Sequence, residues 1–240
     1  MAKIKVIIPN AGMDRATLDE RERMLSQAVS AETMVSVDCI DGGPPSVEST
    51  IDEVIVAPKV LAQAVEAEQS GFQAVVIYCF SDPGLGAVRE AVRVPVIGPG
   101  ETSLAVASLL GHRITVLTTL ASGIPRMTRR CHHSGFDPSR LASVRGLNLP
   151  VVDLREDARR TITGVAEAVR LAVEEDGAEV IVMGCLGLAG YGQEAEQSFG
   201  VPVVDPAFVA LSTAEMFVRL GLGHSRRTFF PNSLPDFQTG

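Results

Sequence analysis

Gly71-Phe72-Gln73-Ala74-Val75-Val76-Ile77-Tyr78-Cys79 and Gly177-Ala178-Glu179-Val180-Ile181-Val182-Met183-Gly184-Cys185 are two versions of one segment. Each opens on glycine, passes one polar residue (Gln73, Glu179) into an unbroken apolar run and reaches a cysteine eight positions after the glycine. Continuous β-branched runs of this length, with no polar alternation, read as strands buried on both faces, and so as a parallel sheet covered by helices. Similar runs stand at Ile4–Ile8, Val94–Ile97, Ile114–Leu117 and Val201–Val204.

The spacing between the copies is the stronger signal. Val94-Pro95-Val96-Ile97 parallels Val201-Pro202-Val203-Val204, the helices that follow end in Leu110-Gly111 and Leu220-Gly221, and the strands Ile4–Ile8 and Ile114–Leu117 correspond; the offset stays between 106 and 110 residues throughout. A duplicated α/β lobe accounts for four features keeping one spacing. The expected architecture is two pseudo-symmetric lobes, each a four-stranded parallel sheet flanked by helices, with a cleft between them. Residues 1–97 with 206–240 form lobe one and 98–205 lobe two, because the helix after each Val-Pro-Val strand can pack on either sheet.

Helical spacing appears in two long segments. Ile51 to Gln69 places Val54, Ile55, Pro58, Leu61, Ala62 and Val65 on a buried face, with Pro58 positioned to kink or shorten it. Asp157 to Asp176 does the same with Ile162, Val165, Val169 and Val173. His224 to Gly240 has no periodicity and reads as an irregular tail covering the other lobe or a partner subunit.

Composition narrows the function. Of 240 residues, 46% are hydrophobic and 21% charged, enough apolar matter for a real core. The net charge of −8, with lysine only at 3, 5 and 59, argues against nucleic acid or an anionic membrane as partner. The apolar runs fall well short of the ~20 residues that span a bilayer, and the run before Pro9 is too short for a signal peptide. A cytoplasmic protein with a small-molecule ligand is expected. Four cysteines without a CxxC pair suggest reduced thiols, neither a disulfide scaffold nor a zinc finger.

In parallel α/β sheets, ligands bind beyond the carboxyl ends of the strands, where both repeat cysteines fall. Ser81 or Asp82 is placed to cap the helix after Cys79, with Pro83 in its first position. After Cys185, the small residues of Leu186-Gly187-Leu188-Ala189-Gly190 leave backbone amides free to face a ligand. Amides at a helix start favour an anion, so a stabilised thiolate is expected. A single cysteine at a strand end is ordinarily a small buried hydrophobe; two at equivalent positions of facing lobes are candidates for chemistry. Asn10 after the first strand, and Thr118 and Thr119 after its repeat, are candidate polar walls, with Phe80, Ser81, Leu186 and Gly187 beside the thiols.

Other features read as structural. Cys39 and Cys131 have no repeat counterpart. His132 and His133 diverge on a helix, and with His112 and His224 give no metal site. Gly98-Pro99-Gly100 is a turn, Glu101 caps the helix it opens, and there is no phosphate-binding lysine loop.

Tyr78-Cys79-Phe80-Ser81-Asp82-Pro83-Gly84-Leu85 is similar to the Cys-Phe-x-Asp-Pro-Gly-Leu motif of hydantoin and allantoin racemases. Val96-Ile97-Gly98-Pro99-Gly100-Glu101 and Gly184-Cys185-x-Gly187 also resemble that branch of the aspartate/glutamate/hydantoin racemase superfamily, over Lys5 to about Gly221. The resemblance implies a racemase that needs no cofactor or metal, with Cys79 and Cys185 as acid/base groups. It implies binding residues at Asn10, Ser81 and Thr118 or Thr119. Two departures, Ala11 and Leu186 where the superfamily has hydroxyl residues, remove groups that would hold an α-carboxylate and favour a neutral cyclic amide. An aspartate or glutamate racemase, a decarboxylase, a maleate-type isomerase and a non-catalytic binding protein stay open as alternatives. A homo-oligomer is expected.

Overall fold

The computed structural model describes residues 2–230. In lobe one, β1 (Lys3–Ile8), α1 (Arg15–Ser26), β2 (Met34–Cys39), α2 (Thr50–Gln69), β3 (Ala74–Ile77), α3 (Leu85–Ala91) and β4 (Val96–Ile97) alternate strictly. Then α4 (Pro99–Leu110) leads into lobe two: β5 (Ile114–Thr118), α5 (Ile124–His133), β6 (Leu141–Gly146), α6 (Ala158–Asp176), β7 (Val180–Met183), α7 (Gln193–Phe199), β8 (Val203–Val204) and α8 (Pro206–Leu220). The sheets have orders β2-β1-β3-β4 and β6-β5-β7-β8, parallel throughout. Val6 pairs with Val76 and Val116 with Val182, so the repeat extends to register.

Alternate strand residues serve two cores. Ile4, Val6 and Val76 face the core shared between the lobes, with Val116 and Val182 from the other side. Ile7, Val75 and Ile77 face the outer layer of lobe one, built on α2, and Leu117, Ile181 and Met183 face that of lobe two, built on α6. Both faces of each sheet are therefore dry. The shared core includes two exchanged helices: α4 leaves lobe one to pack on β7 and β8, and α8 leaves lobe two to pack on β3 and β4.

The buried face of α2 differs from the expected one. Val56, Val60, Ala64 and Ala67 are buried, whereas Ile51 (71%), Val54 (69%) and Ile55 (47%) are exposed, as are Pro58 and Ala62. Apolar residues nearly encircle this helix, and the stripe holding Ala64 and Ala67 is the one that can close on the sheet. Pro58 does not end it, because the carbonyl left unbonded belongs to Val54 on the open side. In α6, Val165 and Val169 are buried as expected, joined by Thr161, Ala168 and Ala172.

Gly98-Pro99-Gly100 is the start of α4, with Gly98 at the cap and Pro99 in the first turn, not a free turn. Glu101 does not cap that helix; its carboxylate pairs with Arg89. The described part of the tail, His224 to Phe230, rests on lobe one instead of reaching lobe two. His224 Nε2 lies 2.8 Å from the amide of Val96, and Arg226 donates to the carbonyl of Arg89 at 3.0 Å. These contacts satisfy groups on and beside the short edge strand β4. Residues 231–240 lie outside the described residues. No helix among those described is long and apolar enough to cross a membrane.

Candidate active site

The carboxyl ends of β1, β3, β5 and β7 meet around a cavity of about 300 Å³ between the lobes. Lobe one contributes Asn10, Cys79, Phe80 and Ser81; lobe two contributes Thr118, Thr119, Cys185, Leu186 and Gly187. All nine residues singled out in the sequence line this one space. Cys39 and Cys131 do not; Cys131 is buried in α5, and Cys39 lies beside the carbonyl of Met13. Among the described residues, no three of His, Cys, Asp and Glu gather where a metal could be held.

Each thiol sits in a tight turn. Beyond β3, the amide of Asp82 donates to the carbonyl of Cys79 at 3.0 Å, which brings the Ser81 hydroxyl to 3.3 Å from the Cys79 sulfur. Beyond β7, a 3-10 turn at Leu186–Leu188 begins on Cys185. A Cβ at Gly187 would come to 2.8 Å from Leu154 Cδ1, so a larger residue there requires that buried leucine to shift. The Tyr78 hydroxyl donates to the carbonyl of Leu186 at 3.3 Å and joins the turns across the lobes.

The stabilised thiolates expected from the amides are not what the site provides. Burial pushes the Cys79 thiol up, against the Ser81 hydroxyl and amide, which favour the anion. Burial pushes Cys185 up to about 12, against the amides of Gly187 and Leu188, and the nearby Cys79 adds to the rise. The amides are present as read from sequence, but desolvation outweighs them. The two sulfurs feel each other's charge, so their titration is coupled.

Asp82 does not cap α3, whose cap is Gly84 and whose first residue is Leu85, not Pro83. Its carboxylate spans to α4, accepting from the amides of Gly100 and Glu101 at 3.0 Å each. Burial lifts this carboxyl to about 7, against those amides. Lobe two carries the same link with its ends exchanged. Asp205, at the cap of α8, accepts from Ala207 at 3.0 Å and reaches back to the amide of Gly190 at 2.8 Å. The offset of the two cysteines pairs Gly190 with Gly84 (positive φ, 84° and 74°) and Asp82 with Leu188, whose amide bonds to the carbonyl of Cys185 as that of Asp82 bonds to Cys79. Gly98, the counterpart of Asp205, has nearly the same backbone: φ −92°, ψ 116° against φ −92°, ψ 113°. Each thiol turn is thus tied by one carboxylate to the helix that crosses into the facing lobe.

Sequence reasoning missed the charged rim. Arg21, Arg126, Arg130, Arg155 and Glu48 also line the cavity. Glu53 of α2 pairs with Arg126 at 2.5 Å and Arg130 at 3.2 Å of α5, and Glu48 accepts from the amide of Val151 at 3.1 Å, so the lobes are latched at the mouth. The one available signal was Arg126 and Arg130 four residues apart on one helix face. Arg21, on a polar helix, and Glu48, in a loop, gave none.

A protein-family model described as Asp/Glu/Hydantoin racemase matches residues 4–214. A hydantoin racemase of Pseudomonas sp. (strain NS671) is 35% identical over 219 residues, spanning 91% of this chain and 87% of that protein. The solved structure of allantoin racemase from Klebsiella pneumoniae superposes with a TM-score of 0.90 at 32% identity, covering 99% of this chain and 98% of that one. The allantoin racemase of Pseudomonas fluorescens superposes with a TM-score of 0.88, also at 32% identity, over 98% of each chain.

The chain belongs to the Asp/Glu/hydantoin racemase family and is an isomerase of the racemase type.

Proposed function

We propose that this racemase inverts the carbon next to a carbonyl in a cyclic ureide whose ring is neutral, a 5-substituted hydantoin or an allantoin-like ring, without cofactor. The observation that carries the reading is that Cys79 and Cys185, equivalent residues of duplicated lobes, line one cavity from its two sides. Similarity to proteins named hydantoin racemase and allantoin racemase supports the ring as substrate.

Inversion of a carbon acid needs a base on one face and an acid on the other. One cysteine enters as thiolate and removes the ring proton; the C–H electron pair moves into the carbonyl and forms an enolate. The other cysteine, entering as thiol, returns a proton to the opposite face as the electron pair moves back to carbon. The thiols have exchanged protonation states, and the reverse reaction restores them. The amides of Gly187 and Leu188 and the Ser81 group serve the sulfurs, holding whichever is anionic. Asn10, Thr118 and Thr119 are then left to bind the ring's amides and carbonyls.

An α-amino acid fits less well. The amide of Ala11 is committed to the carbonyl of Pro44 at 3.0 Å, and the Leu186 side chain is buried. Neither offers a hydroxyl to a carboxylate. A decarboxylase or one-thiol isomerase would leave one sulfur unused. In this reading residues 1–97 with 206–240 form one lobe and 98–205 the other. In the same reading, copies of the chain associate as a homo-oligomer.

Optically pure 5-substituted hydantoins, allantoin, aspartate and glutamate followed by polarimetry test the proposal. Loss of rotation with a hydantoin or allantoin supports it; turnover of the amino acids alone overturns it.

A further inference from the structure

The chain carries a net charge of −8, yet among the described residues four arginines and a single carboxylate, Glu48, line its cavity. Arg126 and Arg130 are neutralised in part by Glu53. Arg21 and Arg155 are different: among the described residues neither has a carboxylate within ion-pair distance.

They come from opposite sides of the cleft, Arg21 from α1 in lobe one and Arg155 from the segment before α6 in lobe two. Arg155 is held in place, donating to the carbonyl of Ala189 at 2.8 Å with its guanidinium 4.7 Å from the Tyr191 ring centre. That anchor leaves most of its donors uncommitted, and the side chain of Arg21 makes no hydrogen bond among the described residues. Arg155 stays partly exposed; the desolvation it does undergo, and then the charge of Arg21, hold its guanidinium below its ordinary value, so the two cations bear on each other. Glu20, whose charge reaches Arg155, and Asp205, which feels the charge of Arg155, form no ion pair with it; Asp205 is committed to Gly190 and Ala207. Two like charges at a cleft mouth repel, weakly where water reaches them and more where a bound ligand excludes it, and an anion between them removes the repulsion. A planar guanidinium with free donors is suited to a carboxylate.

We infer that Arg21 and Arg155 form an anion subsite at the rim, and that the ring substrate carries a short carboxylate-bearing arm at the inverted carbon. This rests on the ring reading above and narrows it. The thiols then face the ring carbon while the arm points outward to the two guanidinium groups. Positive potential focused in the cleft of an acidic protein also draws such a substrate in.

The test compares hydantoin-5-propionate with its neutral amide, by polarimetry for kcat/KM and by calorimetry for binding. The wild type is set beside Arg21→Met, Arg155→Met, the double variant and Arg129→Met, whose arginine lies outside this cavity. The wild type should prefer the acid by at least about tenfold, each single variant should lose most of that ratio, and the double variant all of it. Arg155→Lys should keep part of the ratio, and Arg129→Met should not change it. Equal kcat/KM for acid and amide in the wild type, or a ratio unmoved by the Arg21 and Arg155 variants, overturns the inference. If the amide is racemised and the acid is no better, the subsite fails and the ring reading stands. If neither is racemised but the acid alone binds, and binds through the two arginines, the ring reading fails and the subsite stands. If neither binds, both fail.

Discussion

Tyr78, the residue before one cleft cysteine, donates its hydroxyl to the carbonyl of Leu186, the residue after the other, at 3.3 Å. The bond joins residues 108 positions apart and crosses from lobe to lobe inside the core. It couples the turns that present the two sulfurs, so the distance between them is set partly by one buried hydrogen bond.

Tyr78→Phe keeps the ring and removes the bond. A buried carbonyl left without its donor costs about 1–3 kcal/mol, so urea denaturation should show a loss in that range. Because the thiol turns are no longer tied to each other, kcat should fall more than KM rises. Unchanged kcat with lowered stability would show that the bond serves the core alone.

The exchanged carboxylate tethers predict a reversal of sign. Asp82→Gly removes the tether of lobe one and should cost about 1–3 kcal/mol. Gly98→Asp alone should also destabilise, because its Cβ would meet Asp82 Cγ at 2.7 Å and Leu85 Cδ2 at 2.6 Å. Together the two substitutions remove the clash with Asp82 and leave the carboxylate at position 98 free to reach the amide of Gly84, as Asp205 reaches the amide of its counterpart Gly190. Gly98 already has the backbone of Asp205, and the flexible end of Leu85 can move aside. The double variant should be more stable than Asp82→Gly and recover part of its kcat. A double-mutant cycle in urea with additive losses would refute the equivalence.

Burial of the thiols makes a pH prediction. A thiol in the unfolded chain ionises near ~8.5. Cys79 and Cys185 both lie higher in the folded protein, Cys185 at about 12. The unfolded chain therefore loses these protons first. The stability tied to them is complete below the unfolded value and is lost as pH rises from there toward about 12. Alkylation of the cleft thiols in the ligand-free enzyme should be slow at pH 7 and still be rising above pH 9, measured with iodoacetamide on a Cys39→Ser, Cys131→Ser background. A plateau below about pH 8 would mean that the amides, not desolvation, control the sulfurs.

The strands, the duplication and the cavity wall were legible because each leaves a local trace. Ala74–Ile77 and Val180–Met183 are continuous β-branched runs, and Cys79 and Cys185 keep the repeat offset. What failed depended on tertiary competition. The buried face of α2 could not be chosen from a helix apolar almost all round. Asp82 stands where a cap for α3 would stand, and only the return of α4 to that spot shows which amides it serves. The amides beside Cys185 were visible, but their contest with desolvation was not. Arg21 and Arg155 are unremarkable in sequence, and what distinguishes them is the cleft they share.

On the function proposed above, Cys79 and Cys185 serve opposite faces of one carbon. The most direct measurement is α-hydrogen exchange in deuterated water, read by NMR on each pure enantiomer of a racemised hydantoin, with Cys79→Ser and Cys185→Ser. A serine hydroxyl is far less acidic than a thiol and cannot supply the base at neutral pH. Each variant should lose interconversion yet retain exchange with one enantiomer, and the two should retain opposite ones. Racemisation near the wild-type rate by either variant, or exchange of the same enantiomer by both, would contradict the account.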